Sequence, residues 1–329
     1  MNIFLTGATG FVGGAIAREL KGKHRITALA RSATSAQKLR DQGLATAKAD
    51  LLSVKAEHLS GVDVVVHCAA FVGPWGTRQE FWQGNVEGTR RLLEAARVAG
   101  VKRFIHMGTE AALFRGQAMV EIDERYPYPK RTPYLYSETK REAEKLVLEA
   151  NSASFETIVL RPRLVWGPGD TSVLPVLVQM VREGKFLWLN GGRALTSTAY
   201  IGNLVHAVEL ALTGGVPGQV YFITDDEKLT YRKFLTAMLE TQNVTMPTKS
   251  IPGWIASFLA AMVEGFYRLF GLKSQPPLMR FATDAMAQEC TIRIDRAKAE
   301  LGYRPLTDVA GGLEAMRRQF ARSVSNAGA

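Results

Sequence analysis

Cysteine is almost missing from this chain: Cys68 and Cys290 stand alone, far apart and outside any CxxC spacing. Their scarcity excludes a disulfide framework and a cysteine-built zinc site, and it fits a reducing compartment, the cytoplasm. Histidine is nearly as scarce at five residues, with neither HExxH nor HxxEH among them, so the chemistry is expected to need no metal. Low-complexity tracts and internal repeats are also missing, which sets aside solenoids and propellers. Only the terminal "SVSNAGA" reads as disordered. The opening "MNIFLTG" already reads as a strand entering a glycine turn, leaving no room for a charged leader and cleavage site, so no export signal is expected.

What is present suits a soluble globular enzyme. Apolar residues make up 47% and charged ones 22% of 329 residues, enough chain for a large nucleotide-binding type domain and a second lobe. The net charge of +10 favours anionic partners, which include nucleic acid, a membrane surface, or a phosphorylated or carboxylated small molecule. The basic residues are scattered, as in "KGKHR" and "PKRTP", without interleaved aromatics, so nucleic acid is not expected and a solvated basic surface is the preferred reading.

"NIFLTGATGFVGGAIAREL" runs from an apolar strand through Gly7, Gly10 and Gly13 into a helix with apolar positions at Phe11, Val12, Ile16, Ala17 and Leu20. Glycines at such a turn let the backbone curl, let a pyrophosphate approach the amides, and let the helix pack close on the strand. Further strands read at "RITALAR", "ATAKADL", "DVVVHCAA", "RFIHMGT", "ETIVLRP" and "QVYFITD", with helical patterns between most of them, notably "EFWQGNVEGTRRLLEAARVAG". This alternation predicts an α/β fold, a Rossmann-type doubly wound parallel sheet. At the end of the second strand a free ribose 2′-hydroxyl is usually met by an acid, whereas Arg31, followed by Ser32, suits a 2′-phosphate. NADP(H) is therefore preferred as cofactor, with NAD(H) left open.

In "PYLYSETKREAEK", Tyr136 and Lys140 leave the same helical face one turn apart. Taken alone, the pair reads as a half-buried tyrosine beside a solvated lysine. The motifs "TGATGFVG", "DL" at Asp50 and Leu51, "HCAA", "NVEGT", "YSETK" and "LRPRLVWGPGD" nevertheless follow one another in the order of a known family. The chain resembles the extended short-chain dehydrogenases/reductases over essentially its whole length. "RPRLVWGPGD", "GYRP" and "PPLMRF" look most like the 3β-hydroxysteroid dehydrogenase branch, which includes sterol-4-carboxylate dehydrogenases and bacterial 2-alkyl-3-oxoalkanoate reductases.

The resemblance implies a catalytic set of Thr109, Tyr136, Lys140 and Asn85. Tyr136 would be the acid or base at the reacting oxygen, Lys140 would hold the nicotinamide ribose and favour phenolate, and Thr109 would hydrogen-bond that oxygen. Gly108 stands before Thr109 where a double serine is commoner. Asn85 would stabilise the local helix and a water in the proton path. The implied cofactor-binding residues are Gly7, Thr9, Gly10, Phe11, Val12, Gly13, Arg31, Ser32, Asp50, Leu51, Cys68, Ala69, Ala70, Tyr136, Lys140 and Pro162. His67 of "HCAA", where many relatives have Asn, reads as a structural strand residue.

The glycines and prolines of "WGPGDTSVLP" signal a loop leaving the sheet. The expected division is residues 1–165 and 199–225 for the nucleotide-binding domain, and 166–198 and 226–329 for a discontinuous substrate-binding lobe. In that lobe, "IPGWIASFLAAMVEGFYRLFGL" (251–272) repeats Trp254, Phe258, Met262, Phe266 and Phe270 every four residues, the pattern of an amphipathic helix. Its nine Ile, Leu, Val and Phe residues contribute roughly −4 kcal/mol to membrane insertion against about +5 to +7 for its two charges, so a span is disfavoured. A lid over an oily substrate, a peripheral membrane contact and a core helix all remain open. Arg163 and Arg280 could pair with a substrate carboxylate, although structural ion pairs are the commoner use.

These readings converge on an oxidoreductase interconverting a secondary alcohol and a ketone on a bulky apolar substrate, steroid-like or a 2-alkyl-3-oxo acid, with a homodimer admitted. The alternative is a nucleotide-sugar epimerase or dehydratase of the same fold, and a non-catalytic NADP(H) sensor ranks last.

Overall fold

The computed structural model describes residues 1–72, 75–272 and 274–327. Short apolar segments become strands β1 (Asn2–Thr6), β2 (Arg25–Ala30), β3 (Ala45–Lys48), β4 (Val64–His67), β5 (Arg103–Met107), β6 (Glu156–Pro162) and β7 (Gln219–Ile223). All pair in parallel, in the order β7-β6-β5-β4-β1-β2-β3. Helices cover both faces, and every residue of β4 is buried, as its unbroken "VVVH" demands. Strand order reverses at β1, so the crevice that can take a ligand opens at the carboxyl ends of β1 and β4.

Around the sheet run α1 (Phe11–Leu20), α2 (Ala33–Asp41), α3 (Gly88–Val98) and α4 (Leu135–Glu149). The long helix expected over 80–100 is present, with a π-helical segment inside it. Arg78–Phe81 forms one α-turn, Trp82–Glu87 winds as a π-helix, and α3 follows. Such wide turns cluster at functional positions because they turn one side chain out of the regular helical register.

After β6 the chain builds α5 (Leu174–Arg182) and α6 (Ile201–Ala211), the latter against the sheet; after β7 come α7 (Tyr231–Glu240), α8 (Gly253–Leu269) and α9 (Arg280–Ala287). A separate core of Trp166, Trp188, Phe234 and Met238 holds α5 and α7 together. Buried Asp225, just past β7, accepts hydrogen bonds from Trp166 Nε1, Thr198 Oγ1 and Asn203 Nδ2, which pins the second lobe to the sheet edge. A four-stranded sheet of Leu229–Thr230, Leu195–Thr196, Cys290–Ile292 and Met119–Ile122 completes the lobe. The chain then returns: α10 (Asp295–Glu300) and Tyr303 fall within the 226–329 segment expected in the lobe, yet they pack on β7, where the Tyr303 hydroxyl donates to the Thr224 carbonyl at 2.9 Å.

Candidate active site

At the first turn, Gly7 takes φ +74°, and a side chain on it would stand 2.8 Å from the Ala69 amide nitrogen. One on Gly13 would stand 2.3 Å from the Gly7 carbonyl oxygen. The glycines thus let the ends of β1 and β4 and the start of α1 close to distances no Cβ permits. Gly10 caps α1 without a side chain, Thr9 and Gly10 are exposed, and Phe11 and Val12 pack on the core. The first amides of α1 therefore face the crevice with no competing cap, a cradle that fits a pyrophosphate.

Arg31 follows β2 directly, exposed and without a hydrogen bond or ion pair among the described residues. Ser32 caps α2, its Oγ accepting from the Ser35 amide at 3.1 Å. Asp50 lies past β3 and closes its own turn, accepting from the Leu52 and Ser53 amides at 2.9 and 2.8 Å; these bonds, led by the Ser53 hydroxyl, hold its carboxyl below the usual range. Leu51 packs half-buried in the core beside it. Cys68, Ala69 and Ala70 follow β4, half-buried, and burial pushes the Cys68 thiol up to about 12. Pro162 ends β6 in the interior, opposite Ile223 of β7.

A directed chain of hydrogen bonds joins the turn to Asn85. The Ala69 amide donates to Thr6 Oγ1 at 3.0 Å, and the Thr6 hydroxyl meets His67 Nδ1 at 2.7 Å. His67 Nε2 meets Thr89 Oγ1 at 3.0 Å, and Thr89 donates to the Asn85 carbonyl at 2.6 Å. Since Thr89 uses its proton there, the network assigns the His67 hydrogen to Nε2. Burial, with Lys140 nearby, lowers the His67 pKa to about 3, so the ring is neutral. Asn85 sits in the π-turn, fully buried; its Oδ1 accepts from the Phe71 amide at 2.6 Å and its Nδ2 donates to Thr139 Oγ1 on α4 at 3.0 Å.

Past β5, Thr109 is buried and donates to Glu110 Oε2 at 2.8 Å. Tyr136, on the first turn of α4, lies against Phe281 edge to face, with ring centroids 5.6 Å apart. Burial and then the Glu110 carboxylate raise its phenol above the usual range, with hydrogen bonding to Thr109 in opposition. One turn deeper, buried Lys140 donates to the Met107 carbonyl at 2.7 Å, and burial brings its pKa down to about 8 against the pull of Glu144 and Cys68. Tyr136, Thr109 and Lys140 thus come together at the end of β5. A narrow cavity lined by Glu110, Phe114, Arg163, Phe281 and Glu289 lies next to them, reached through Glu110 and Phe281.

Gly108 has a packing cause. A side chain there would reach within 2.8 Å of Val159 Cγ1 and 2.9 Å of Glu144 Oε2. Glu144 is wholly buried, paired with Arg161 and hydrogen-bonded by the Tyr128 hydroxyl. That ion pair occupies the volume a second serine would need.

Glu110, Tyr231 and Asp284 carried no separate signal in the sequence, whereas Arg163 and Arg280 were read there as candidates for a substrate carboxylate and are found in internal ion pairs. Glu110 pairs with Arg163 at 2.6 Å; Arg163 also donates to Thr196 Oγ1 at 3.0 Å and to the Tyr231 hydroxyl at 2.8 Å, and Tyr231 donates to the Ala285 carbonyl at 3.0 Å. Arg163 is therefore consumed within the protein, linking Thr109 to α9. Asp284 on α9 accepts from the Tyr134 and Ser257 hydroxyls, and Arg280 reaches it at 3.5 Å. The adjacency of Glu110 to Thr109 was the only linear hint of this network.

Residues 4–252 match the model of the 3-beta hydroxysteroid dehydrogenase/isomerase family. The chain is 37% identical over 321 residues to the 4-hydroxy-2-methyl-3-oxo-4-farnesyl-3,4-dihydroquinoline-1-oxide ketoreductase of Stigmatella aurantiaca, covering 97% of this chain and 96% of that protein. It is 32% identical to the 2-alkyl-3-oxoalkanoate reductase of Stenotrophomonas maltophilia, covering 98% and 100%. Among solved structures, the NAD complex of UDP-glucuronic acid 4-epimerase from Bacillus cereus superposes with a TM-score of 0.74 at 21% identity, over 98% of this chain and 99% of that one, a likeness of fold. The chain therefore belongs to the 3-beta hydroxysteroid dehydrogenase/isomerase family, a branch of the extended short-chain dehydrogenases/reductases.

Proposed function

We propose that this enzyme is an NADP(H)-preferring ketoreductase or alcohol dehydrogenase acting at a secondary alcohol or ketone of a bulky apolar molecule. One observation carries the reading: Tyr136, hydrogen-bonded to Thr109 and packed on Phe281, stands one helical turn from Lys140 at the end of β5, and the chain also has an uncapped glycine turn after β1. The turn would hold the pyrophosphate, and Arg31 the 2′-phosphate. When bound, the nicotinamide supplies or accepts the hydride.

The chain's own residues manage the proton. In reduction the Tyr136 phenol gives its proton to the carbonyl oxygen as the carbonyl carbon gains the hydride; in oxidation phenolate takes it back from the alcohol. An unassisted phenol in this buried place holds its proton too tightly to act as a base near neutrality. The Lys140 ammonium one turn below lowers that barrier, and with a pKa near 8 it is still mostly charged at pH 7. Thr109 positions the reacting oxygen, and Asn85 fixes the start of α4 through Thr139. Phe281 packed on the Tyr136 ring, together with the ketoreductases the chain resembles, supports a steroid-like or alkylated 3-oxo acid substrate.

The test follows nicotinamide absorbance while the protein is offered NADPH with bulky apolar ketones and 2-alkyl-3-oxo acids, beside Tyr136→Phe. Turnover should fall by at least about 10²-fold in the variant while NADPH binding persists. Absence of turnover on every apolar carbonyl, with NADPH bound, overturns the assignment.

A further inference from the structure

The helix α8 is packed inside out. Its small residues, Gly253, Ala256 and Ala260, are the buried ones, and a side chain on Gly253 would collide with Asn190 Nδ2 at 2.8 Å and Ala287 Cβ at 2.9 Å. Its large residues face away from the protein: Trp254 is 74% exposed, Phe258 60%, Phe266 54% and Phe270 61%, with Leu259, Met262 and Leu269 also exposed. A core helix would do the reverse. The row extends along the whole helix, about 25 Å for its 17 residues. At its far end Trp75 donates from Nε1 to the Leu272 carbonyl at 3.4 Å, which draws the loop bearing exposed Val72 to the same end.

We propose that this face lies in the surface of an anionic lipid bilayer. The charge around it selects that occupant. Between residues 249 and 280 the chain has four basic residues, Lys249, Arg268, Lys273 and Arg280, against a single acidic one, Glu264. Glu264 is turned inward to accept from the Arg280 amide at 2.7 Å. Lys249 and Arg268 are exposed at the two ends of the row, and Arg268 sits over the Trp75 ring, 4.9 Å from its centre. Aromatic and aliphatic residues along one side, cations at the ends and no outward carboxylate are the features of a helix that lies in the headgroup layer. No helix among the described residues is long and apolar enough to cross a membrane, so the contact is peripheral.

The surface leads to the pocket. Ser257 of α8 is bonded to Asp284 of α9, and Phe281 of α9 touches the Tyr136 ring. An apolar substrate held in the bilayer would enter from that side; this consequence rests on the function proposed above, whereas docking does not.

The test is sedimentation of the full chain with vesicles of phosphatidylcholine and phosphatidylglycerol, beside vesicles of phosphatidylcholine alone. The natural chain should pellet with the anionic vesicles, less so in high salt, and Phe258→Ser/Phe266→Ser should weaken partitioning by about tenfold or more. Light scattering without lipid and NADPH binding are measured on the same samples. A natural chain that stays in solution, or a double variant that pellets equally well, overturns the proposal. So does a natural dimer that the double variant dissociates, since the face would then be an interface between copies. Retained NADPH binding in the double variant confirms that loss of lipid binding is local, and it stands whatever the turnover assay gives.

Discussion

Replacing Lys140 by Met should make the protein inactive and, at neutral pH, no less stable. Burial lowers the Lys140 pKa from 10.5 to about 8, and at about 1.36 kcal/mol per pKa unit the fold disfavours the charged amine by roughly 3 kcal/mol. Methionine has nearly the same reach and no charge, so it relieves that cost. It forfeits the hydrogen bond to the Met107 carbonyl, a loss of about 1–3 kcal/mol. The expected balance at pH 7 is a gain of about 0–2 kcal/mol. The sign with pH follows from linkage. The folded pKa lies below the unfolded one, so between about pH 8 and 10.5 the unfolded chain carries the extra proton and the natural chain gains stability as pH rises. By about pH 9.5 it should recover roughly 2 kcal/mol on the variant. Urea midpoints of the two chains without cofactor, at neutral and alkaline pH, measure the difference, and every other titrating group cancels in it. A variant much less stable at pH 7, by an amount independent of pH, would refute the reasoning.

Gly108→Ser should restore the commoner hydroxyl and yet destabilise the protein by about 1–3 kcal/mol, because its Cβ meets Val159 and Glu144 below 3 Å; an unchanged thermal midpoint would count against the packing account. Arg31→Asp should lower the NADPH to NADH ratio of kcat/KM by about tenfold to a hundredfold, the worth of one charge-assisted contact, and kinetics with both cofactors reads it directly.

Much of the nucleotide-binding half was legible because its signals are local. Alternating strand and helix, and glycines where side chains would clash, lie in single stretches of sequence. Each strand read there is present, though "RITALAR", "ATAKADL", "DVVVHCAA", "RFIHMGT" and "QVYFITD" end sooner, at Ala30, Lys48, His67, Met107 and Ile223. Periodicity found the helix over 80–100 but not its π-turn, which changes the register without changing composition. At α8 it was incomplete: a four-residue repeat of large apolar residues says that a face exists and is silent on which side the protein lies. Burial of the small residues decided that. The Glu110–Arg163–Tyr231 network joins positions 53 and 68 residues apart, a separation at which no linear pattern survives.

The buried pair beneath the site also constrains its surroundings. Tyr136, Lys140 and Glu144 descend one face of α4, and Glu144 with Arg161 fills the space beside Gly108. A second hydroxyl and this ion pair are rival tenants of one volume. Positions 108, 144 and 161 therefore act as one packing unit, and a side chain placed at 108 must displace the carboxylate that neutralises Arg161.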